Sequence, residues 1–402
     1  PESGLHELQG GEQKTHTFWV SVEADDVSDP PLDWCRRPTI AVPEPLWVCG
    51  AGVVPWLTPE QADPNTDYRS LVTAAIEGPD SFFAKREHLD EYGWRHFGDV
   101  WADHEAVFHP GPRLFVSHYN NQYDVVAGCA YQYMRSGDPR WWTLMDDMAS
   151  HVVDIDIYHT REDRAAYNHG LFWHTVHHTD AGLSGHRSYP RAPGGHGGGP
   201  SPSHLYTTGL MLHYFMTGEP RSKEAVLELA EFVISADDGR QSPLKWLDSG
   251  PTGLASLSTE GDYHGPGRAP GNTVNALIDA HRLSGEARFL DKAGEVVMRC
   301  IHPRDDVGTR DLLDVERRWF YTVFLQAIGR LLDHLRDVAP NHALGAYARS
   351  SLLTYAHWMA RHERPYLERP EVLEFPTETW AAQDLRKSCL LYTSPSPRDV
   401  EE

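Results

Sequence analysis

The chain has 402 residues, 40% of them hydrophobic and 11% aromatic, enough to bury a sizeable core and too many for wholesale disorder. Its 36 basic and 58 acidic residues leave a formal charge of -22, which argues against nucleic acid or an anionic membrane as partner. No apolar run is long enough to span a bilayer, and an anionic substrate would need a locally positive pocket.

The opening residues, Pro1-Glu2-Ser3-Gly4, carry no initiator Met, basic n-region or apolar h-region, so the visible chain reads as starting inside a longer protein and leaves the compartment open. Cys35, Cys49, Cys129, Cys300 and Cys389 form no CxxC and no regular spacing, the pattern of idle thiols.

Thr15 to Glu23 alternates, with His16, Phe18, Val20 and Val22 on one face, and predicts a half-buried strand. Pro-rich stretches follow at Asp29–Pro31 and Val42–Pro45. Residues 1–60 therefore read as the end of a β-sandwich-like domain with its linker.

From about Asp67 the pattern is helical and repeats. Three predicted helix pairs, Tyr131–Val153, Leu212–Ile234 and Ile278–Ile301, share one junction, [ST]-G-[DE]-x-R. Gly137, Gly218 and Gly285 suit the left-handed residue that ends a helix. Asp138, Glu219 and Glu286 put negative charge at the start of the next. Further helices are predicted at Val315–Asp337 and His342–His362, and another from Glu378 to Lys387. Unequal spacing between the junctions excludes a fixed-period solenoid. Helical hairpins with variable loops predict a mainly α protein, an incomplete (α/α) toroid over residues 61–388. An open helical array is the alternative. The junctions should share one rim, with the long loops on the other.

The chemistry concentrates in those loops. Tyr167 to Tyr206 holds His169, His174, His177, His178, His186, His196 and His204, then five glycines between Gly194 and Gly199. Structureless loops of this length are usually functional or disordered, and the aromatic content speaks against disorder. Glu91–Arg95, Ser117–Asn121 and Gly261–Arg268 each bring aromatic and polar residues toward a helix start, where anions are favoured. Together they suit an aromatic-lined groove for an acidic polysaccharide or oligosaccharide. His174-x-x-His177-His178-x-Asp180 lacks the HExxH arrangement; no cofactor is required, although His174 and His178 leave room for a divalent cation.

Several stretches carry a family resemblance: GGEQKTHTFWV, YGWRHFGDVWADHEA, SHYNNQYD, DIDIYHT, YNHGLFWHT and PTETWAAQDLRKS. Over nearly the whole chain to Ser388 they resemble the exo-rhamnogalacturonan lyases and their bacterial relatives, which implies β-domains followed by a catalytic α/α toroid. The last residues differ in kind. Cys389–Asp399 resembles the translation of a sequencing-library adapter, so residues 389–402 are expected to be a non-native tail that packs poorly.

β-Elimination beside a uronate needs a cation or donor on the carboxylate, a base for the α-proton and an acid for the leaving oxygen. The residue types predict His177 or His174 as base, Tyr206 as proton donor, and Arg187 with Asn168 on the carboxylate. Trp94, Arg95, Asn120, Asn121, Tyr189, His204, Tyr263 and His264 are the predicted sugar contacts. The rival reading is a glycoside hydrolase, which needs two carboxylates about 5–5.5 Å or 6.5–9.5 Å apart; Asp180, Asp262 and Glu378 are the candidates. A non-catalytic glycan-binding protein is the third class.

Overall fold

The computed structural model describes residues 8, 10–20, 39–100, 120–172, 199–257 and 264–393. These residues are mainly helical. A short α1 (Pro45–Gly50), α2 (Thr66–Ile76) and α3 (Phe82–Leu89) precede three hairpins: α4 (Val125–Ser136) with α5 (Pro139–His151), α6 (Thr208–Thr217) with α7 (Pro220–Asp237), and α8 (Arg268–Ser284) with α9 (Ala287–Cys300). After the single turn α10 (Val315–Arg318) come α11 (Tyr321–Val338), α12 (Ala343–His362) and α13 (Thr379–Thr393).

The repeated junction works residue by residue. Gly137, Gly218 and Gly285 adopt φ of 72°, 76° and 73°, and each amide bonds the carbonyl four residues back. The preceding Ser136, Thr217 and Ser284 donate their hydroxyls to the carbonyls of Gln132, His213 and Ala280. The same hydroxyls accept the amides of Asp138, Glu219 and Glu286. Asp138 and Glu219 then accept the amides of Arg140 and Arg221 as N-caps. Glu286 departs from this expectation: its carboxylate takes the Arg288 guanidinium and caps no amide.

Each arginine of the motif also reaches back to the preceding unit. Arg140 pairs with Glu77, Arg221 with Asp154, and Arg288 with Glu231. The junction thus ends one helix, starts the next and ties it to its neighbour.

The first helices of successive hairpins run parallel. Asp124, ahead of α4, accepts the amide of Gly209 in the first turn of α6 at 3.0 Å. A Cβ on Gly209 would meet the Ala127 amide nitrogen at 2.4 Å, and one on Gly271 the Phe324 backbone at 3.0 Å. Glycine at these two places lets α4 approach α6 and α8 approach α11 closely. Farther along, His281 of α8 meets His334 of α11 at 2.8 Å. The junction glycines thus close the C-terminal ends of α4, α6 and α8, and Tyr206 lies just ahead of α6, beside Thr207, which bonds Asp279 of α8. His174 and Tyr263 lie outside the described residues.

Apolar faces close two cores. One includes Tyr133, Met145, Met148, Leu229 and Phe232; the other includes Phe324, Ile328, Leu331 and Tyr355. No described helix is long and apolar enough to cross a membrane.

Two expectations are corrected, and a third meets a mixed outcome. Residues 15–20 form no strand, and Phe18 and Val20 are 79% and 75% exposed. Alternation makes a strand only beside a partner edge, and the described residues contain no named strand. Instead Gln13 and Thr15 donate their amides to the Asp154 carbonyl and carboxylate, both at 2.8 Å. The helix predicted over Val315–Asp337 is interrupted at Trp319 and Phe320, between α10 and α11. In the predicted tail, α13 continues to Thr393, and residues 394–402 lie outside the described residues. Trp380, Lys387 and Leu390 fall on one helical face, so Leu390 is 3% exposed within the second core, whereas Tyr392 is 84% exposed.

Candidate functional site

The parallel helices α4, α8 and α11, the segment ahead of α6, and parts of α12 and α13 surround a cavity of 1580 Å³. Six arginines line it (Arg135, Arg268, Arg330, Arg336, Arg349 and Arg386) against three carboxylates, Asp63, Asp124 and Asp333. A strongly acidic chain thus gathers a local cationic surplus here.

Half of these arginines are neutralised: Arg135 by Asp63, Arg330 by Asp279 and Arg336 by Asp333. Arg268, Arg349 and Arg386 have no carboxylate partner among the described residues. Arg268 opens α8 and lies 5.7 Å from the Trp319 ring centroid. Arg386 is held by the side-chain carbonyls of Gln383 and Gln326, at 2.8 and 2.6 Å.

Tyr206 lines the same cavity. Its hydroxyl is buried and makes no hydrogen bond of good geometry among the described residues, although the Tyr123 backbone is close by. Burial pushes the phenol up to about 12, against the pull of the Arg268 and Arg386 charges. The Tyr123 ring lies 6.4 Å away, centroid to centroid. The result is a protonated phenol in a cavity that Arg268 and Arg386 also line.

The floor is a bonded network. Arg330 donates to Thr208, Asn275 and Asp279 at 3.0, 2.9 and 2.6 Å. Asp124 accepts the amides of Ala127 and Gly209. Burial pushes its carboxyl up to about 6, against those bonds. It is an N-cap, spent on helix termini.

Of the residues predicted from the sequence, Tyr206 lines the cavity. Trp94 and Arg95 stack on one another at 5.0 Å, and Arg95 pairs with Glu12; neither lines the cavity. Asn120 and Asn121 are buried: Asn120 donates to the Phe172 carbonyl at 3.0 Å, and Asn121 accepts the Val126 amide at 3.0 Å. Asn168 closes its own turn through both backbone groups of Asp163. His204 is buried two residues before Tyr206, and His264 lies 3.2 Å from the Ser256 hydroxyl. His174, His177, Arg187, Tyr189 and Tyr263 lie outside the described residues, as do Asp180 and Asp262.

Sequence reasoning missed Arg386 and Tyr123 and did not single out Arg268, which closes the Gly261–Arg268 stretch. It also missed a buried cluster. His151, ending α5, lies 3.2 Å from the Phe97 carbonyl oxygen, 3.3 Å from Asp156 Oδ1 and 3.8 Å from Asp99 Oδ2. Burial pushes Asp99 well above the carboxylate range, and Glu91 up to about 7. Among the described residues no group of three or more His, Cys, Asp or Glu is arranged to hold a metal ion. Compared with known proteins, the chain matches no family model and no curated protein.

Proposed function

We propose that the hairpins are successive units of an (α/α) toroid and that its cavity cleaves a uronate-containing, rhamnogalacturonan-like glycan by β-elimination. The observation that carries this reading is an arginine-rich cavity lined by Tyr206, whose phenol burial keeps protonated, together with Arg268 and Arg386.

The parts match the demands of the reaction. A guanidinium pair neutralises the uronate carboxylate, which acidifies the proton on the adjacent carbon. Tyr206 keeps its proton at neutral pH and can give it to the leaving oxygen. The role first assigned to Arg187 and Asn168 passes to Arg268 and Arg386. The base is assigned to His177 or His174 on the chemistry of their segment alone. Tyr123 and Tyr131 offer aromatic faces for sugar stacking.

Hydrolysis is less well supported by this cavity. It needs one carboxyl to donate a proton while another is ionised, whereas Asp124 is spent on backbone amides and Asp63 and Asp333 on arginines. Incubation with rhamnogalacturonan and other uronates tests the reading. Elimination leaves an unsaturated sugar and a rise in ultraviolet absorbance; release of saturated sugars without that rise would overturn it.

A further inference from the structure

The backbone on the two sides of residues 173–198 is tied together at its root. Phe172 pairs with Pro200, and Leu171 with Ile157, in antiparallel bridges. Tyr158 donates its amide to the Gly170 carbonyl, and the His169 amide bonds the Tyr158 carbonyl, each at 2.9 Å. His169 holds φ of 63°, a left-handed conformation that a side chain adopts only when held there.

Glu228 on α7 stands behind this root and touches two imidazoles. Its Oε2 lies 2.7 Å from His159 Nδ1, and its Oε1 2.6 Å from His169 Nδ1. His159 Nε2 lies 2.6 Å from the Val153 carbonyl oxygen. A carbonyl oxygen only accepts, so that nitrogen carries a proton, and a neutral ring would then present a lone pair at Nδ1. A lone pair facing a carboxylate oxygen at 2.7 Å is repelled. The contact is attractive only while His159 carries both protons. His169 makes no such demand, because one proton on Nδ1 satisfies its bond.

We propose that His159, Glu228 and His169 form a proton-operated latch that fastens the root of the histidine-rich segment to α7. It is closed while His159 holds two protons and opens when it gives one up.

The surroundings favour the closed form. Glu224 and Glu231 from α7, Glu162 and Arg161 from the loop, and neutral Gln13 from the amino-terminal segment line the same 610 Å³ groove. Three further carboxylates thus face Arg161, and of these Glu231 is already paired with Arg288. Asp154 on the turn beneath is spent on Arg221 and Thr15, and Asp163 accepts the Tyr158 hydroxyl. Burial raises the Glu228 carboxyl, but the bonds and charges of His159 and His169 outweigh it and hold the group below the ordinary carboxylate range. The closed latch binds one proton more than the open one, so it is favoured at low pH and lost as pH rises. On the acid side it fails only when Glu228 itself is protonated.

The test reads backbone exchange, so it stands or falls independently of the elimination reading. Hydrogen–deuterium exchange of the full chain is followed from about pH 5 to about pH 9, with correction for intrinsic rates. The amides of Tyr158, His169 and Phe172 should lose about tenfold protection as pH rises, the worth of one charge-assisted hydrogen bond. Amides within α9 should not respond. In Glu228→Gln the carboxamide can accept from His169 and donate to the neutral His159 Nδ1, so the profile should be flat and protected throughout. Glu228→Ala should be open at every pH. A flat wild-type profile, or the wild-type slope retained in Glu228→Gln, overturns the latch. Loss of protection on adding a chelator at constant pH also overturns it, since a metal ion would then hold the contact.

Discussion

Arg330 on α11 places Nη2 2.6 Å from Asp279 Oδ1 on α8, while Asp279 Oδ2 accepts the hydroxyls of Thr207 and Thr208 at 2.8 and 2.9 Å. One carboxylate, whose side chain is fully shielded from solvent, thereby ties three segments of the cavity floor. The guanidinium is 29% exposed, toward the cavity. The pair organises the wall on which the candidate site stands.

Arg330→Leu should leave the Asp279 charge buried with only hydroxyl partners. The expected cost is about 2–4 kcal/mol, discounted from a fully buried pair because solvent reaches the guanidinium. The double variant Arg330→Leu, Asp279→Leu should recover part of that loss, since no charge is then stranded. Denaturant midpoints at constant m-value check both.

Tyr206→Phe separates stability from activity. The hydroxyl makes no well-formed bond among the described residues, so its removal should leave the melting temperature unchanged or slightly raised. Turnover of a uronate substrate should fall by roughly 10²–10⁴-fold if the phenol is the proton donor. Arg268→Gln should cost on the order of 10²-fold in kcat/KM and weaken the salt dependence of substrate binding. Full activity in Tyr206→Phe would remove this residue from the mechanism.

Glu91 sets a pH dependence with a definite sign. Burial raises it to about 7, despite the opposing charges of His151 and Arg86, against about 4.3 in an unfolded chain. The folded state therefore binds the extra proton between those values. Its contribution to stability is fully present below about pH 4.3 and is lost as pH rises through about 7. Thermal melts should decline over that window, and Glu91→Gln should flatten the decline. An unchanged slope in the variant would show that another group titrates.

Gly285→Ala isolates the junction's backbone requirement. Nothing lies within 4 Å of a Cβ added there, so the expected loss of about 1–2 kcal/mol comes from the left-handed φ alone. Gly137→Ala should cost more, because its Cβ would also press on Val42 at 3.1 Å. Equal losses in urea melts would contradict the added clash.

The [ST]-G-[DE]-x-R junctions were legible in the sequence because every bond that makes a cap lies within about five residues. Hydroxyl and glycine act on their own turn of backbone at all three junctions, whatever surrounds them. The helices flanking them followed from the same local signals. Where the outcome depended on a partner distant in sequence, local pattern was not enough. Residues 15–20 alternate like a strand yet have no strand edge beside them, and Leu390 is buried because α13 carries its helical period onto the second core. The cavity shows the same limit. Arg135, Arg330 and Arg336 look in sequence like Arg268, Arg349 and Arg386, but among the described residues only the first three meet a carboxylate. Asp279 and Arg330 are 51 residues apart, and Tyr206 and Arg386 are farther still. Which charges are cancelled and which remain for a ligand was decided by the side-by-side packing of parallel helices, because Coulomb energy and desolvation depend on distance in space.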